Sequence, residues 1–179
     1  ISPSGLDYFE TKPEDIVVMD LEGKIADGCR KPSSEHSLHR IFYTDRDDIN
    51  AVVHTHSTYA TALATLREGL PASSYLVAFA GEDVRCGEYA SYGTPELARN
   101  TFDAMIDRKA ALMANHGLVT GDVSIAKAFN IADQIEQCAR VYMIARSIGM
   151  PVILSKEEMQ KMIYSFNNCY GQKGVKPTK

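Results

Sequence analysis

Two kinds of apolar pattern alternate along this chain. Short, nearly continuous apolar runs predict strands at residues 15–20, 51–54 and 110–114, with a further short strand at 84–86. Between them, apolar residues recur every three or four positions, which is typical of helices packed against a core. This second pattern predicts helices at residues 34–43, 58–66, 95–106, 124–148 and 155–166. The run 76–80 is apolar but fits neither period.

Capping residues support several of these helix limits. Ser34 and Ser124 are of the type that accepts hydrogen bonds from the first free amides of a helix, and Ser155 with Glu158 matches a capping box. Pro95 is tolerated in a first turn, and Gly149 ends the longest pattern. Because strands and helices alternate, we predict an α/β fold in which one mixed, layered domain spans 1–179.

Composition and charge narrow the possible partners. A chain of 179 residues with 45% hydrophobic residues can bury one core, and no apolar run is long enough for a membrane span. The net charge is −4 and no block of lysine and arginine is present, so we expect no nucleic acid or membrane partner. The four scattered cysteines contain no CxxC pair, which favours a reducing, cytoplasmic location.

Three of the five histidines form a candidate metal site. His54 and His56 are two residues apart at the end of a predicted strand, so both side chains would face the same way, about 7 Å apart. His116 follows another apolar run and precedes Gly117, which would let backbone or substrate approach closely. Zinc accepts imidazole nitrogens readily, and three protein ligands leave one position open. At this point ordinary polar residues at strand ends remain the alternative.

A second group of residues suits an anion. Ser33, Ser34 and Glu35 lie at a predicted helix N-terminus, where free amides and the helix dipole favour negative charge. Ser4 and Gly5, in a turn near the start of the chain, offer a further hydroxyl and an accessible amide. Simple helix capping is the alternative interpretation of the serines.

Taken in order and spacing, these segments resemble the class II aldolase/adducin family, and within it the bacterial enzymes that act on L-fuculose 1-phosphate. The resemblance runs through nearly the whole chain, and its most specific parts are Pro-Ser-Ser-Glu at 32–35, His-Thr-His at 54–56 and Asn-His-Gly-Leu at 115–118. Further matching segments are Ser-Pro-Ser-Gly at 2–5, Leu-Pro-Ala at 70–72, Tyr-Ala-Ser-Tyr-Gly-Thr at 89–94 and Tyr-Gly at 170–171. The family fold implies a central, largely antiparallel sheet flanked by helices.

The resemblance also implies a ligand set and roles. Zinc (Zn²⁺) would be held by His54, His56 and His116, with Glu35 completing the resting shell and then acting as the base. The phosphate of a sugar phosphate would be held by the residues that match the family's phosphate loops, namely Ser4, Gly5, Ser33 and Ser34.

Two tyrosines are assigned by resemblance alone. Tyr75 would come from a neighbouring subunit and handle the aldehyde oxygen, and Tyr170 would approach from that neighbour too. The implied assembly is a homotetramer with its sites between subunits. The implied reaction is reversible cleavage of L-fuculose 1-phosphate, or a similar ketose phosphate, to dihydroxyacetone phosphate and L-lactaldehyde.

Three other functions are possible on the same fold. A pentulose-phosphate 4-epimerase usually carries aspartate where Glu35 stands and a further histidine near the C-terminus, and residues 159–170 contain none. A sugar-phosphate dehydratase is a second option. An adducin-like interaction module would keep the fold without the metal. Family members also carry an N-terminal helix and a Gly-Asn-x-Ser loop that precede Ile1, so we expect the natural protein to extend upstream.

Overall fold

The computed structural model describes residues 1–171. The strands are β1 (Val18–Met19), β2 (Ile25–Asp27), β3 (Ala51–Thr55), β4 (Arg85–Gly87), β5 (Ala110–Met113) and β6 (Gly117–Asp122). The α-helices are α1 (His36–Asp45), α2 (Thr58–Thr65), α3 (Pro95–Ala104), α4 (Ile125–Ile148) and α5 (Lys156–Asn168). Short 3-10 helices occupy Pro13–Asp15 and Tyr75–Phe79.

A four-stranded mixed sheet forms the centre of the fold, with strand order β3-β6-β5-β4. β3 pairs with β6 and β6 with β5 in antiparallel register, whereas β5 and β4 are parallel. β1 and β2 form a separate antiparallel pair. The predicted α/β class with a largely antiparallel sheet is therefore confirmed. A domain limit at residue 179 stays a prediction, because it reaches beyond the described residues.

Both faces of the central sheet are buried. Ala110 and Leu112 of β5 join a core cluster with α2, α4 and α5, while Ala111 and Met113 join a second cluster with α1 and α3. A strand covered on both faces has no polar side, which explains why β5 is an unbroken apolar run. The fold is therefore a helix–sheet–helix sandwich with two cores.

The predicted helix ends are largely confirmed. The hydroxyl of Ser124 accepts a hydrogen bond from the Lys127 amide at 3.4 Å, and that of Ser155 accepts one from the Glu158 amide at 3.2 Å. Ile125, the first residue of α4, fits the helical spacing of apolar residues but is 63% exposed. At this helix end the spacing alone therefore does not decide burial.

Two segments differ from the predicted elements. The predicted strand at 15–20 is reduced to Val18–Met19, because Pro13 starts a 3-10 turn that ends at Asp15. The strand β6 was not predicted; Gly117, expected to end the strand before it, is instead the first residue of β6. Within residues 1–171 no helix combines the length and apolar character of a membrane span, and all four cysteines are free.

Candidate active site

Three separate segments meet at one point of the fold. Glu35 directly precedes α1, His54 lies in β3 with His56 just beyond its end, and His116 lies in the turn between β5 and β6. One possible ligand atom from each of these four residues lies within 4.8 Å of all the others. We call these four residues the Glu–His group.

The nitrogen and oxygen atoms of the Glu–His group point toward one another. Nε2 of His54 is 3.0 Å from Nε2 of His56 and 3.2 Å from Oε2 of Glu35. Nε2 of His116 is 3.4 Å from Oε1 of Glu35. The His54 ring meets each of the other two rings in a T-shaped arrangement, the rings of His56 and His116 are tilted to each other, and all centroids are 4.8–5.0 Å apart. Three imidazole nitrogens and one carboxylate in such an arrangement are a donor set that suits zinc.

A backbone contact orients the His54 ring so that one of its nitrogens faces the other members of the Glu–His group. Its Nδ1 is 3.0 Å from the carbonyl oxygen of Leu118 in the neighbouring strand β6. A carbonyl oxygen can only accept, so Nδ1 carries the proton and Nε2 presents its lone pair to the group. This is the usual arrangement by which a protein orients a histidine that binds a metal.

The turn that carries His116 depends on Asn115 and Gly117. We expected His116 at a strand end, but β5 ends at Met113 and His116 lies in the following turn. Asn115 has φ +55°, in the left-handed region that asparagine tolerates. A Cβ on Gly117 would lie 2.4 Å from the carbonyl oxygen of Thr55 and 3.1 Å from the His56 ring. Glycine is therefore required for this turn to bring His116 against the other two histidines.

The arrangement of His54 and His56 in the His-Thr-His segment also differs from the prediction. His54 lies on β3, but β3 ends at Thr55, so His56 is beyond the strand. Its ring is thus free to turn toward His54 rather than stand parallel to it about 7 Å away. His56 is also the exposed member of the group, which leaves one side of the site open to a substrate.

Protonation states in the group favour cation binding. Burial lowers the pKa of His116 and of His56, although the Glu35 carboxylate acts in the opposite direction. Burial would raise the pKa of Glu35, but the electrostatic influence of the three neighbouring imidazoles, that of His54 above all, outweighs this effect and lowers the pKa. Oε1 of Glu35 is buried without a hydrogen-bond partner. A neutral imidazole and an unpaired carboxylate oxygen are the forms that bind a metal ion.

The two predicted phosphate loops lie side by side next to Glu35. The Ser4 amide donates to the Lys31 carbonyl at 2.8 Å, and the Ser33 amide donates to the Ser2 carbonyl at 3.0 Å. Gly5 follows Ser4 with φ +69°, a backbone conformation that favours glycine.

Ser34 does not cap α1, which corrects the prediction. Glu35 occupies the N-cap position without a side-chain cap, and its amide donates to the Ser33 hydroxyl at 3.2 Å. The Ser34 side chain is therefore left exposed beside the site.

The two predicted tyrosines lie elsewhere on the chain. The ring centroid of Phe166 is 6.2 Å from that of Tyr75, 5.2 Å from that of Tyr170 and 4.1 Å from that of Phe79. We call these four residues the aromatic cluster. Among residues 1–171, the ring contacts of both tyrosines lie within this cluster and not with the histidines. Tyr75 and Tyr170 are 52% and 67% exposed.

Comparison with known proteins decides the family. Residues 1–143 match the family described as Class II Aldolase and Adducin N-terminal domain. The chain belongs to this family. The resemblance that the sequence motifs indicated is thereby confirmed.

Several characterised relatives are aldolases. A 5-deoxy-D-ribulose 1-phosphate aldolase from Bacillus thuringiensis serovar kurstaki is 53% identical over 172 residues, which cover 96% of this chain and 80% of that protein. An L-fuculose phosphate aldolase from Escherichia coli K12 is 38% identical, again over 96% of this chain and 80% of that protein. A solved structure of an L-fuculose 1-phosphate aldolase superposes with a TM-score of 0.91 at 53% identity, covering 93% of this chain and 78% of that one.

These findings settle the reaction class. The protein is a class II aldolase, a metal-dependent carbon–carbon lyase whose chain contains a possible metal site of one glutamate and three histidines. The alternative of a non-catalytic interaction module is not supported, because the Glu–His group is intact. The metal, the substrate and the individual residue roles belong to the proposal below.

The residues that hold the turn of His116 in place were not predicted from the sequence. The Asn115 amide donates to the Ala64 carbonyl at 2.9 Å, and Nε of Arg67 donates to the Asn115 side chain at 3.0 Å. Asn115 was noted only as part of a motif, and Arg67 was not noted. The only local signal was an asparagine before His-Gly, a residue type enriched at positive φ.

Proposed function

We propose that this protein is a zinc-dependent aldolase that cleaves a 1-phosphorylated deoxyketose to dihydroxyacetone phosphate and a short aldehyde. The observation that carries the proposal is the convergence of Glu35, His54, His56 and His116 within 4.8 Å. Four-coordinate sites of nitrogen and oxygen ligands are typical of zinc. We infer a cytoplasmic location from the free cysteines.

The two candidate substrates share their reacting half. L-fuculose 1-phosphate and 5-deoxyribulose 1-phosphate both carry a phosphate on C1, a ketone at C2 and a terminal methyl group. Cleavage between C3 and C4 yields dihydroxyacetone phosphate from each, with lactaldehyde from the former and acetaldehyde from the latter. The names of relatives at 53% and 38% identity support both compounds as substrates to be tested.

Glu35 is the proposed base. In the condensation direction it removes a proton from the carbon beside the carbonyl, and in the cleavage direction it returns that proton. A bound zinc ion would polarise the carbonyl and stabilise the negative charge that carbon–carbon cleavage leaves. The lowered pKa of Glu35 supports this role, because the carboxylate is ionised at neutral pH.

The phosphate is proposed to bind at the paired loops. Ser4, Ser33 and Ser34 offer hydroxyls and Gly5 offers an amide, all on two backbone segments that hydrogen bond to each other beside Glu35. Since Ser34 does not cap α1, its hydroxyl is available to a ligand. A phosphate held here would lie close to the Glu–His group, as a C1 phosphate next to a C2 carbonyl requires.

We propose that the aldehyde end of the site is completed by another subunit of a homotetramer. Tyr75 would exchange a proton with the aldehyde oxygen and Tyr170 would contact the substrate beside it. Their shared cluster and high exposure support this, since one surface would present both to a neighbour. The outer side of α4 also exposes Val141, Ile144 and Ile148, spaced like one helix face, as expected of a contact surface for a second copy.

The test is an assay of dihydroxyacetone phosphate release through its NADH-dependent reduction. The full-length protein is given L-fuculose 1-phosphate or 5-deoxyribulose 1-phosphate. Each substrate is assayed with untreated protein, with chelator present, and again after zinc is restored. We expect release that chelator abolishes and zinc restores, with a higher kcat/KM for one substrate. A protein that contains zinc but releases nothing, and instead epimerises a pentulose 5-phosphate, would contradict the proposal.

A further inference from the structure

Both ends of helix α2 lie close in the chain or in space to members of the Glu–His group. The helix begins at Thr58, two residues after His56. At its other end, the carbonyl of Ala64 accepts a hydrogen bond from the Asn115 amide, and the side chain of Arg67, just beyond the helix, donates to the Asn115 side chain; Asn115 directly precedes His116. The position of α2 therefore bears on two of the three histidines.

His56 has less support from the sheet than His54. The last residue pair between β3 and β6 is Thr55 with Leu118, so His56 is the first residue outside the strand ladder. Its ring is exposed. The first turn of α2 comes next in the chain, so the backbone of His56 is joined on that side to α2.

That first turn is capped by a side chain from another helix. The N-cap residue Ser57 makes no side-chain cap hydrogen bond. Instead, Oε1 of Glu136 in α4 accepts a hydrogen bond from the Tyr59 amide at 2.9 Å, and Oε2 accepts one from the Ala60 amide at 2.9 Å. Glu136 thus uses both carboxylate oxygens on two free amides of α2. The negative charge also lies at the positive end of the α2 dipole.

We propose that Glu136 is a positioning residue of the metal site: by fixing the first turn of α2 it fixes His56 against His54 and His116. The inference rests on the metal site of the proposed function. It adds a residue that touches neither metal nor substrate, and that is 80 positions away from His56 in the sequence. Ionic hydrogen bonds to two amides are strong and geometrically specific, so the link between α4 and α2 is rigid.

The test is the zinc affinity of Glu136→Gln, measured on metal-free protein by competition with a chromophoric chelator. Glutamine keeps the shape of the side chain but turns one acceptor into a donor that faces an amide N–H. We expect the dissociation constant for zinc to rise roughly 10-fold or more, as for other residues that orient metal ligands. The absorption bands of bound Co²⁺ should shift as well, because the ligand geometry changes.

Ser124→Ala is the matched control. It removes the cap of α4, the helix that carries Glu136, without touching α2. Both variants should lower Tm, but only Glu136→Gln should weaken zinc binding. Equal zinc affinity in Glu136→Gln and the parent would overturn the proposal, whatever their Tm values.

A second variant distinguishes an effect of Glu136 on His56 through the first turn of α2 from a general loss of stability. Ser57→Asn combined with Glu136→Gln places a longer, neutral acceptor at the N-cap position just before α2, where an asparagine oxygen can accept from the free amides of the first turn. We expect it to restore most of the zinc affinity; no recovery in a folded protein would contradict a route through α2. A parent protein that binds no zinc would instead refute the proposed function itself.

Discussion

The Glu–His group and the aromatic cluster differ in how far the contacts within one chain bury and position their side chains. The former is assembled from three segments of one chain, is partly buried, and is oriented by contacts inside the fold, such as that of His54 with the Leu118 carbonyl. The latter packs Phe79 and Phe166 together but leaves both tyrosines more than half exposed. The difference supports our proposal that one chain provides the metal half of a site and presents a second half to another chain.

The largest effect on zinc content and activity is expected from a substitution in the Glu–His group. His116→Ala removes one of the three imidazoles, the one whose Nε2 lies 3.4 Å from Oε1 of Glu35. We expect loss of stoichiometric zinc and of measurable aldolase activity, because the remaining ligands do not hold the ion firmly. Metal analysis after gel filtration, alongside the assay, checks this. Full zinc content with full activity would show that His116 is not a ligand.

Glu35→Gln should retain more metal but lose the base. We expect kcat to fall roughly 10²- to 10⁴-fold, the usual range for a general base, while the three histidines still bind zinc. Glu88→Gln is the matched control, because Glu88 is exposed and outside the group. If both variants keep parental kcat, Glu35 does not act as the base.

Tyr75→Phe tests the incomplete half. Removal of the hydroxyl should lower kcat by about 10²-fold without changing zinc content, since Tyr75 does not contact the histidines within the chain. Tyr164→Phe, an exposed tyrosine on α5, should have no effect. Loss of zinc in Tyr75→Phe would contradict the separation of the two halves.

Acid should lower the stability of the protein through His39 in α1, and not through the aromatic cluster. Burial lowers the pKa of His39 to about 4, below its ordinary value of 6.5. Below pH 6.5 the unfolded chain therefore takes up a proton that the native protein does not. The free energy of unfolding of metal-free protein should fall as pH drops from 6.5 to about 4, by up to roughly 3 kcal/mol, and His39 should contribute no further loss below that.

Urea unfolding at a series of pH values checks this, with His39→Gln as the comparison. The variant should show a flatter pH dependence in the same window. Parallel curves for the parent and the variant would show that His39 is not the group responsible.

Much of the fold followed from local patterns, whereas β6 did not. The apolar run of β5 and the capping serines are visible in neighbouring residues. The sequence Gly-Leu-Val-Thr-Gly-Asp of β6 contains two glycines, which weaken a strand pattern. A Cβ on Gly121 would lie 2.9 Å from the Ile49 side chain, and one on Gly117 would strike the Thr55 carbonyl. Both glycines are required by contacts with residues far away in the sequence, so no local pattern explains them.

The Glu–His group was predictable, but the residues that support it were not. His54, His56, His116 and Glu35 were identified from residue types, spacing and family resemblance, and the structure brings them together. The bidentate contact of Glu136 with the amides of α2 leaves no trace in the spacing of residues along the chain. Ser34 was misassigned as a cap because the first turn of α1 begins one residue later than its pattern predicts.

The claim that each site is divided between two chains is tested most directly by mixing two inactive variants. Glu35→Gln and Tyr75→Phe chains are unfolded together, refolded at equal amounts and assayed for dihydroxyacetone phosphate release. In a randomly mixed ring of chains, about a quarter of the sites would combine an intact Glu35 with an intact Tyr75, so activity should return to about a quarter of the parent's. Activity no higher than that of the two variants refolded separately would contradict a site shared between subunits.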